Sequence, residues 1–462
     1  MKKLLLKAVA CIVGVCSVMN LCGCNSKQTS TGDVKTANIL MQSGHSKKFW
    51  EQKINDFNNG YGKEIGVNLV LTSKSDDAYN QALNVAIDSD QLPDFFMYGS
   101  LKKMVENNQI AALDELPDMD DFLNDYKDLL VQNTHTYNGK IYSIPSSLTT
   151  RGLIYNKDMF KAAGIVDENG EAKPPKTFDE VREYAKKLTN VDKNEYGIVF
   201  PVKWGAWVFS DGETVSQSTS GMPVYNPVDG VYDYTGCKPA LDMIMGIKND
   251  GSYYPGAEGL DNDPARARFA EGKIGMKIAF SFDVGVLNDQ FPAKMDWGVA
   301  PLPVADENNC YKQQAQSSSS LQLSTKGLEN LGAEKAALVF KWLYSKDTIR
   351  GLYKEGLEIP CNWDWVSDIE IDDAKTGWKE FCEMTQISAI RTTGDMPKNV
   401  EGEKSFNEIV VNEVWTGKKS VDDALTEITD ILNNGVEKYK KEYPDKDYTQ
   451  YLEKDWLEKV KR

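Results

Sequence analysis

The stretch Asn38–Tyr98, NILMQSGHSKKFWEQKINDFNNGYGKEIGVNLVLTSKSDDAYNQALNVAIDSDQLPDFFMY, decides the fold. Its opening residues, Asn38-Ile39-Leu40-Met41, make a short strand followed by Gly44. From near Ser46 the period changes. Phe49/Trp50, Ile54 and Phe57 fall on one helical face, and Gly60 stops the helix. Val67, Leu69 and Leu71 alternate as a second strand does, and Tyr79, Ala82, Leu83 and Ala86 return to helical spacing. Asp94–Tyr98 reads as a third strand. Strand, helix, strand, helix, strand is the pattern of a parallel sheet covered by helices.

A second series begins near residue 150. Gly152–Tyr155 is a strand, and Thr177-x-x-Glu180 is a capping box ahead of Val181, Tyr184, Ala185 and Leu188. Gly197–Phe200, Lys273–Phe282 and Trp297–Pro301 follow as strands, and Ala333–Ser345 as a helix. Ser420-x-x-Asp423 caps a further helix that buries Val421, Ala424, Leu425, Ile428, Ile431 and Leu432. The charged tail Lys438–Arg462 reads as a surface helix or a loose end. With no repeat period, two α/β lobes are the economical organisation, and such sheets bind ligands beyond the carboxyl ends of their strands.

Composition narrows the function. The chain has 462 residues, 53 basic and 69 acidic, for a net charge of −16. That length suits roughly two domains. A general nucleic-acid binder needs a basic surface, so that class is excluded. Two histidines, His45 and His135, leave little for a histidine-built metal site or triad, and no metal or cofactor is expected.

Residues 1–24 carry an address. Lys2, Lys3 and Lys7 precede an apolar run, Leu4–Leu21, that ends in Leu21-Cys22-Gly23-Cys24. This is secretory signal-peptide form, the alternative being a membrane anchor. The ending resembles a bacterial lipobox, in which Cys24 is diacylated and becomes the mature first residue. Cleavage there removes three lysines and takes the net charge from −16 to −19. Asn25–Thr36 is a Ser/Thr/Lys-rich tether. Two acyl chains give durable attachment, which places the protein on the outer face of a bacterial plasma membrane. Cys237, Cys310, Cys361 and Cys382 pair in any of three ways or stay free.

Enzyme motifs are missing. Gly60-Tyr-Gly62-Lys-Glu-Ile-Gly66 has its third glycine one residue late for a dinucleotide loop and follows a helix. Thr416–Ser420 lacks the first glycine of a phosphate loop, and neither Gly-x-Ser-x-Gly nor His-Glu-x-x-His occurs. No catalytic residue is assigned.

Several stretches together resemble a known family. They are Tyr79–Leu83 with Leu92–Tyr98, Ile141–Pro145, Arg151–Phe160, Ala162–Ile165, Pro174–Glu180, Phe269–Met276, Val299–Pro303 and Trp415–Leu425. In this order they resemble an extracellular solute-binding protein of the carbohydrate group (family 1, maltose-binding-protein-like) that feeds ABC importers. The resemblance implies a two-lobed, periplasmic-binding-protein-like α/β fold, with mixed parallel sheets flanked by helices and a hinge between the lobes. It implies a signal peptide over 1–23, a tether over 24–36, one lobe from 37–148 plus 320–358, and another from 149–319 plus 360–462. It further implies permease subunits of an ABC importer as partners and a monomeric receptor.

A sugar presents hydroxyls and flat C–H faces, so its site needs aromatic platforms and planar polar partners. Trp204 and Trp207 follow the Gly197–Phe200 strand, Phe282-Asp283 ends the strand from Lys273, and Tyr98 ends the third strand. In the resembled family, aromatics at positions matching Tyr98, Trp204 or Trp207, and Phe282 stack on ligand. Trp363-Asp364-Trp365 lies near the last implied crossing. Polar candidates are Ser43, Gly44 and His45 after the first strand, Asp76 and Asp77 after the second, Thr149 and Arg151, and Arg391. Asp and Arg grip vicinal hydroxyls with charge-assisted bonds. For each aromatic the competing role is capping the core, and for each charge an ion pair. The expected function is therefore carbohydrate capture, most plausibly of an oligosaccharide. The competing functions are a surface glycan hydrolase and a same-fold receptor for a peptide, polyol or phosphorylated compound.

Overall fold

The computed structural model describes residues 34–74, 76–97, 99–204, 213–371 and 375–462; the side chains of Asp76, Asp77 and Glu213 are outside that description. Two four-stranded sheets organise it. The first runs Gln322–Leu323, Phe95–Phe96, Lys35–Gln42, Val67–Lys74 in spatial order. Lys35–Gln42 is parallel to both neighbours, with Ile39 opposite Leu71 and Phe95. Helix Lys47–Asn59 buries Trp50, Ile54 and Phe57, and the Gly60 amide closes it onto Asp56 and Phe57 carbonyls. These side chains join Leu69, Leu323, Phe340 and Leu343 in one apolar core.

The second sheet runs Trp297–Pro301, Arg151–Asn156, Ile274–Phe280, Tyr196–Ile198. Arg151–Asn156 is antiparallel to both neighbours, whereas Ile274–Phe280 is parallel to Tyr196–Ile198. Every residue of Arg151–Asn156 is buried, because cores cover both faces of the sheet. The Thr177 capping box forms as its spacing requires and starts helix Phe178–Leu188. That helix approaches Gly197 so closely that a Cβ there would sit 2.2 Å from the Ala185 carbonyl oxygen.

Three passages of chain meet between the sheets. Pro145–Thr149 and Gln316–Ser319 form an antiparallel ribbon, with Ser147 opposite Ser318. Ile359 bridges to Leu148, whose amide donates to the Ile359 carbonyl at 2.7 Å. These crossings bring residues from both sheets to one place.

Three expectations need correction. The third strand shortens to Phe95–Phe96. The strand from Lys273 ends at Phe280, and Asp283 opens a helical turn instead of finishing the strand. The tail is not loose. Helix Val421–Glu442 extends past Lys438, and beyond it Tyr451, Trp456 and Val460 are buried. The Trp456 indole donates to the Gly221 carbonyl at 3.2 Å, and Tyr225 donates its hydroxyl proton to the Tyr451 carbonyl at 2.8 Å. Widely spaced aromatics among lysines and glutamates give no periodic signal, yet each fills a socket. Among the described residues, no disulfide joins Cys237, Cys310, Cys361 and Cys382, and Cys237, Cys361 and Cys382 are buried.

Candidate functional site

A cavity of about 390 Å³ lies where the two sheets and the crossing strands meet. Its size falls in the range of small-molecule sites. The first sheet's side contributes Gln42, Gly44, His45, Asn80 and Met97; the crossings contribute Ser146, Ser147, Thr149, Ser318 and Glu358. Trp204, Asp263, Arg266, Ser281, Phe282 and Gln290 close the opposite side.

Trp204 and Phe282 give one wall its aromatic rings, with Phe280 buried between them. Phe280 and Phe282 are two residues apart and stack at 5.1 Å with a 5° interplanar angle. Trp204 meets Phe280 edge-on at 5.5 Å, and His45 stacks on Phe282 at 5.6 Å from the other side of the cleft. The loop bearing Trp204 is fixed by hydrogen bonds that the Val202 amide donates to the Ala257 carbonyl (3.2 Å) and the Lys203 amide to the Leu260 carbonyl (3.0 Å). Arg151 lies over Phe280 at 4.7 Å and Arg266 over Phe282 at 5.4 Å.

A charge network runs from the cavity lining at Asp263 and Arg266 to the buried Asp283 and Lys277. Arg266 donates from Nε to Asp283 Oδ1 at 2.6 Å and pairs with Asp263 at 2.7 Å. Lys277 Nζ is 3.8 Å from Asp283, which also accepts the Phe280 amide proton at 3.1 Å. Burial would lift the Asp283 carboxyl, but Arg266 and Lys277 outweigh it and hold it below its ordinary value. Burial lowers the Lys277 ammonium to about 8.

His45 is neutral at pH 7, because burial, assisted by the Arg266 charge, lowers it to about 4. Its Nε2 finds no hydrogen-bond partner among the described residues. Glu358 behaves in the opposite sense. Burial pushes its carboxyl up to about 7, against a hydrogen bond with Ser147 that favours the charged form.

Of the residues singled out by sequence, the structure brings Gly44, His45, Thr149, Trp204 and Phe282 to the cavity. It places several elsewhere. Ser43 is buried against Ser73, oxygen to oxygen at 2.6 Å. Arg151 and Asp283 stand behind the wall, Arg151 donating to the Thr214 hydroxyl at 2.7 Å. Trp365 packs edge-on against Tyr126 at 5.6 Å in the first core, and Trp363 against Tyr353 at 6.4 Å. Asp364 is exposed beside Asn362, whose side chain accepts its amide proton at 3.1 Å. Arg391 pairs with Asp395 and covers the Tyr225 ring at 5.3 Å, on the tail side of the second lobe. The physical reason is common to them: a charge or indole near a loop satisfies a core as readily as a cleft. Tyr98, Trp207, Cys24 and the Asp76 and Asp77 side chains lie outside the described residues.

Sequence reasoning passed over Glu358, Arg266, Ser146, Ser147 and Ser318. The serines did leave a trace, since Ser146-Ser147 and Ser317–Ser320 are uncharged runs of hydroxyls. Among the described residues, no cluster of three His, Cys, Asp or Glu side chains suits a metal ion, and no helix is long and apolar enough to cross a membrane.

Two α/β halves joined by crossing strands, with a polar and aromatic cavity between them, define a two-lobed ligand-binding protein. Residues 43–348 match the family of bacterial extracellular solute-binding proteins, and the chain belongs to that family. It is a family of binding proteins. The chain is 28% identical over 244 residues to the maltotriose-binding protein of Pyrococcus abyssi, covering 51% of this chain and 47% of that one. The match thus spans just under half of that relative's length. A maltooligosaccharide ABC transporter solute-binding lipoprotein of Streptococcus pneumoniae is 24% identical over 463 residues, covering 92% and 97% of the two chains. The GacH receptor of Streptomyces glaucescens, solved unliganded and with acarbose, superposes with a TM-score of 0.67 at 17% identity, covering 89% and 99%. That likeness shows the two-lobed fold.

Proposed function

We propose that this protein captures a carbohydrate, an oligosaccharide in particular, between its lobes and delivers it unchanged to the permease subunits of an ABC importer. The observation that carries the reading is a cavity between the lobes lined by Trp204, Phe282 and His45 together with a rim of hydroxyls and amides. Aromatic faces take the apolar face of a sugar ring, while Ser, Thr, Asn and Gln exchange hydrogen bonds with its hydroxyls. The names of the Pyrococcus and Streptococcus relatives support the same ligand class.

In this reading, 37–148 with 320–358 moves as one lobe against 149–319 with 360–462. The hinge runs through the Pro145–Thr149 and Gln316–Ser319 ribbon and the Leu148–Ile359 bridge. Hinge closure around ligand is the motion of such folds, and it is favoured only by contacts the open form lacks. The mature chain is held at the outer membrane face by diacylated Cys24. Replacing Cys24 by Ala should release the protein into the medium, and retention on cells would reject the anchor.

A thermal-shift screen over mono- and oligosaccharides, followed by calorimetry and product analysis, tests the function. The expected result is stabilisation by an oligosaccharide that is recovered intact. Turnover of the sugar would favour the hydrolase alternative, and stabilisation only by a peptide or polyol would change the ligand class.

A further inference from the structure

Glu358 is the acid in the cavity wall that no other observation accounts for. It follows Leu357 on the third crossing passage and precedes Ile359, whose carbonyl takes the Leu148 amide proton. It therefore sits at the hinge and lines the ligand cavity. Its one hydrogen-bonded side-chain partner among the described residues is Ser147, a neutral hydroxyl. The other acids of this region have cations: Asp263 has Arg266, and Asp283 has Arg266 and Lys277.

A desolvated carboxyl without a cation is costly as an anion and tolerable as an acid. Hydrogen-bond donors that arrive with a ligand reverse that preference, since bonds to the charged form favour it. A polyhydroxy ligand carries such donors. We propose that Glu358 is a specificity-determining residue of the cleft: it accepts hydrogen bonds from ligand hydroxyls at the hinge and gives up its own proton to solvent as the ligand binds. The O–H bond of the carboxyl breaks, the proton goes to buffer, and no covalent bond to the ligand forms. The assignment rests on the carbohydrate reading above.

The groups around Glu358 leave the window near neutrality to it. His45, across the cavity, titrates at about 4, and Arg266 stays charged in its pair with Asp263. Behind Glu358, burial raises the Cys361 thiol and the Tyr126 phenol far above neutrality. Lys277, lowered to about 8, belongs to the network behind the aromatic wall and is kept in every variant below.

Maltotriose is the probe. Calorimetry near pH 7 in two buffers of different ionisation enthalpy counts the protons exchanged. Wild type should release about half a proton per ligand, and its affinity should rise by up to about tenfold between pH ~6 and ~8. Glu358→Gln, which keeps shape and hydrogen-bonding capacity, should bind with no proton release and a flat profile. Ser147→Ala removes the hydroxyl that favours the anion, so the midpoint of the affinity rise should move to higher pH. Binding by wild type with no proton release, equal release in Glu358→Gln, or an unmoved midpoint in Ser147→Ala would each overturn the assignment while leaving carbohydrate capture intact. Failure of wild type to bind maltotriose or any sugar of the screen would remove the carbohydrate reading and this assignment with it.

Discussion

On one side of the cleft, Phe280 and Phe282 are locked in a stack, with Arg151 and Arg266 over their rings and Asp283 tying Arg266 and Lys277 together behind. On the other, Ser146, Ser147, Thr149 and Ser318 hang from a two-stranded ribbon, with Glu358 beside them. The aromatic wall is over-determined: each ring has a packed neighbour, and Asp283 has opposite charges in Arg266 and Lys277. The polar wall has short side chains on the segment that joins the lobes. A preformed face for stacking needs rigidity, whereas groups that must rotate with the hinge need short, reorientable donors and acceptors. The two walls divide recognition between shape and hydrogen bonding.

The largest test of this contrast removes the anchor of the rigid wall. Asp283→Ala leaves Lys277 buried without an acid partner and Arg266 with Asp263 alone, and should cost about 3–5 kcal/mol of folding stability. Urea denaturation at neutral pH measures it, and a loss below about 1 kcal/mol would mean that the network does not support the rings. Next comes Trp204→Ala, which should weaken sugar binding by roughly 1–3 kcal/mol with little change in thermal stability. Calorimetry showing wild-type affinity would remove Trp204 as a platform.

Single changes on the polar wall should be milder. Ser318→Ala is expected to cost about 0.5–1.5 kcal/mol of binding, the value of one neutral hydrogen bond. A loss as large as that at Trp204 would show that hydrogen bonding, not stacking, dominates. The last effect is confined to acid pH and concerns His45, which belongs to neither wall alone. Its folded value lies below the unfolded one, so its contribution to stability is whole above about pH 6.5 and falls away as pH drops toward about 4. His45→Phe should keep the stack on Phe282 and flatten that acid limb of the thermal-unfolding profile. An unchanged limb would separate the stack from the titration.

Particular residues show how far the sequence could be read. Thr177 and Ser420 announce their helices because a cap is a local geometry of four residues, and both caps form. His45, Trp204 and Phe282 were legible at or beyond strand ends, where open sheets hold ligands, and Thr149 as the residue just before the strand that opens the second series. Glu358 was not legible, since one glutamate among 69 acids carries no local mark of facing a cavity. Trp365, Arg391 and Asp283 were misplaced for the converse reason. Their chemistry suits a cleft, but Tyr126, Asp395 and Arg266 respectively provided partners that no spacing rule reveals.

The amino-acid sequence by itself determined the alternation of strands and helices, the two-lobed organisation and the supply of aromatics and hydroxyls at strand ends. Those follow from period, caps and turns, which act over a few residues. Only the tertiary structure decided which indoles face the cavity, which charges neutralise each other behind it, and that Trp456 and Val460 fasten the tail. Those outcomes depend on burial and on the partner the folded chain makes available, whether it lies 17 residues away, as Asp283 does from Arg266, or 235, as Gly221 does from Trp456.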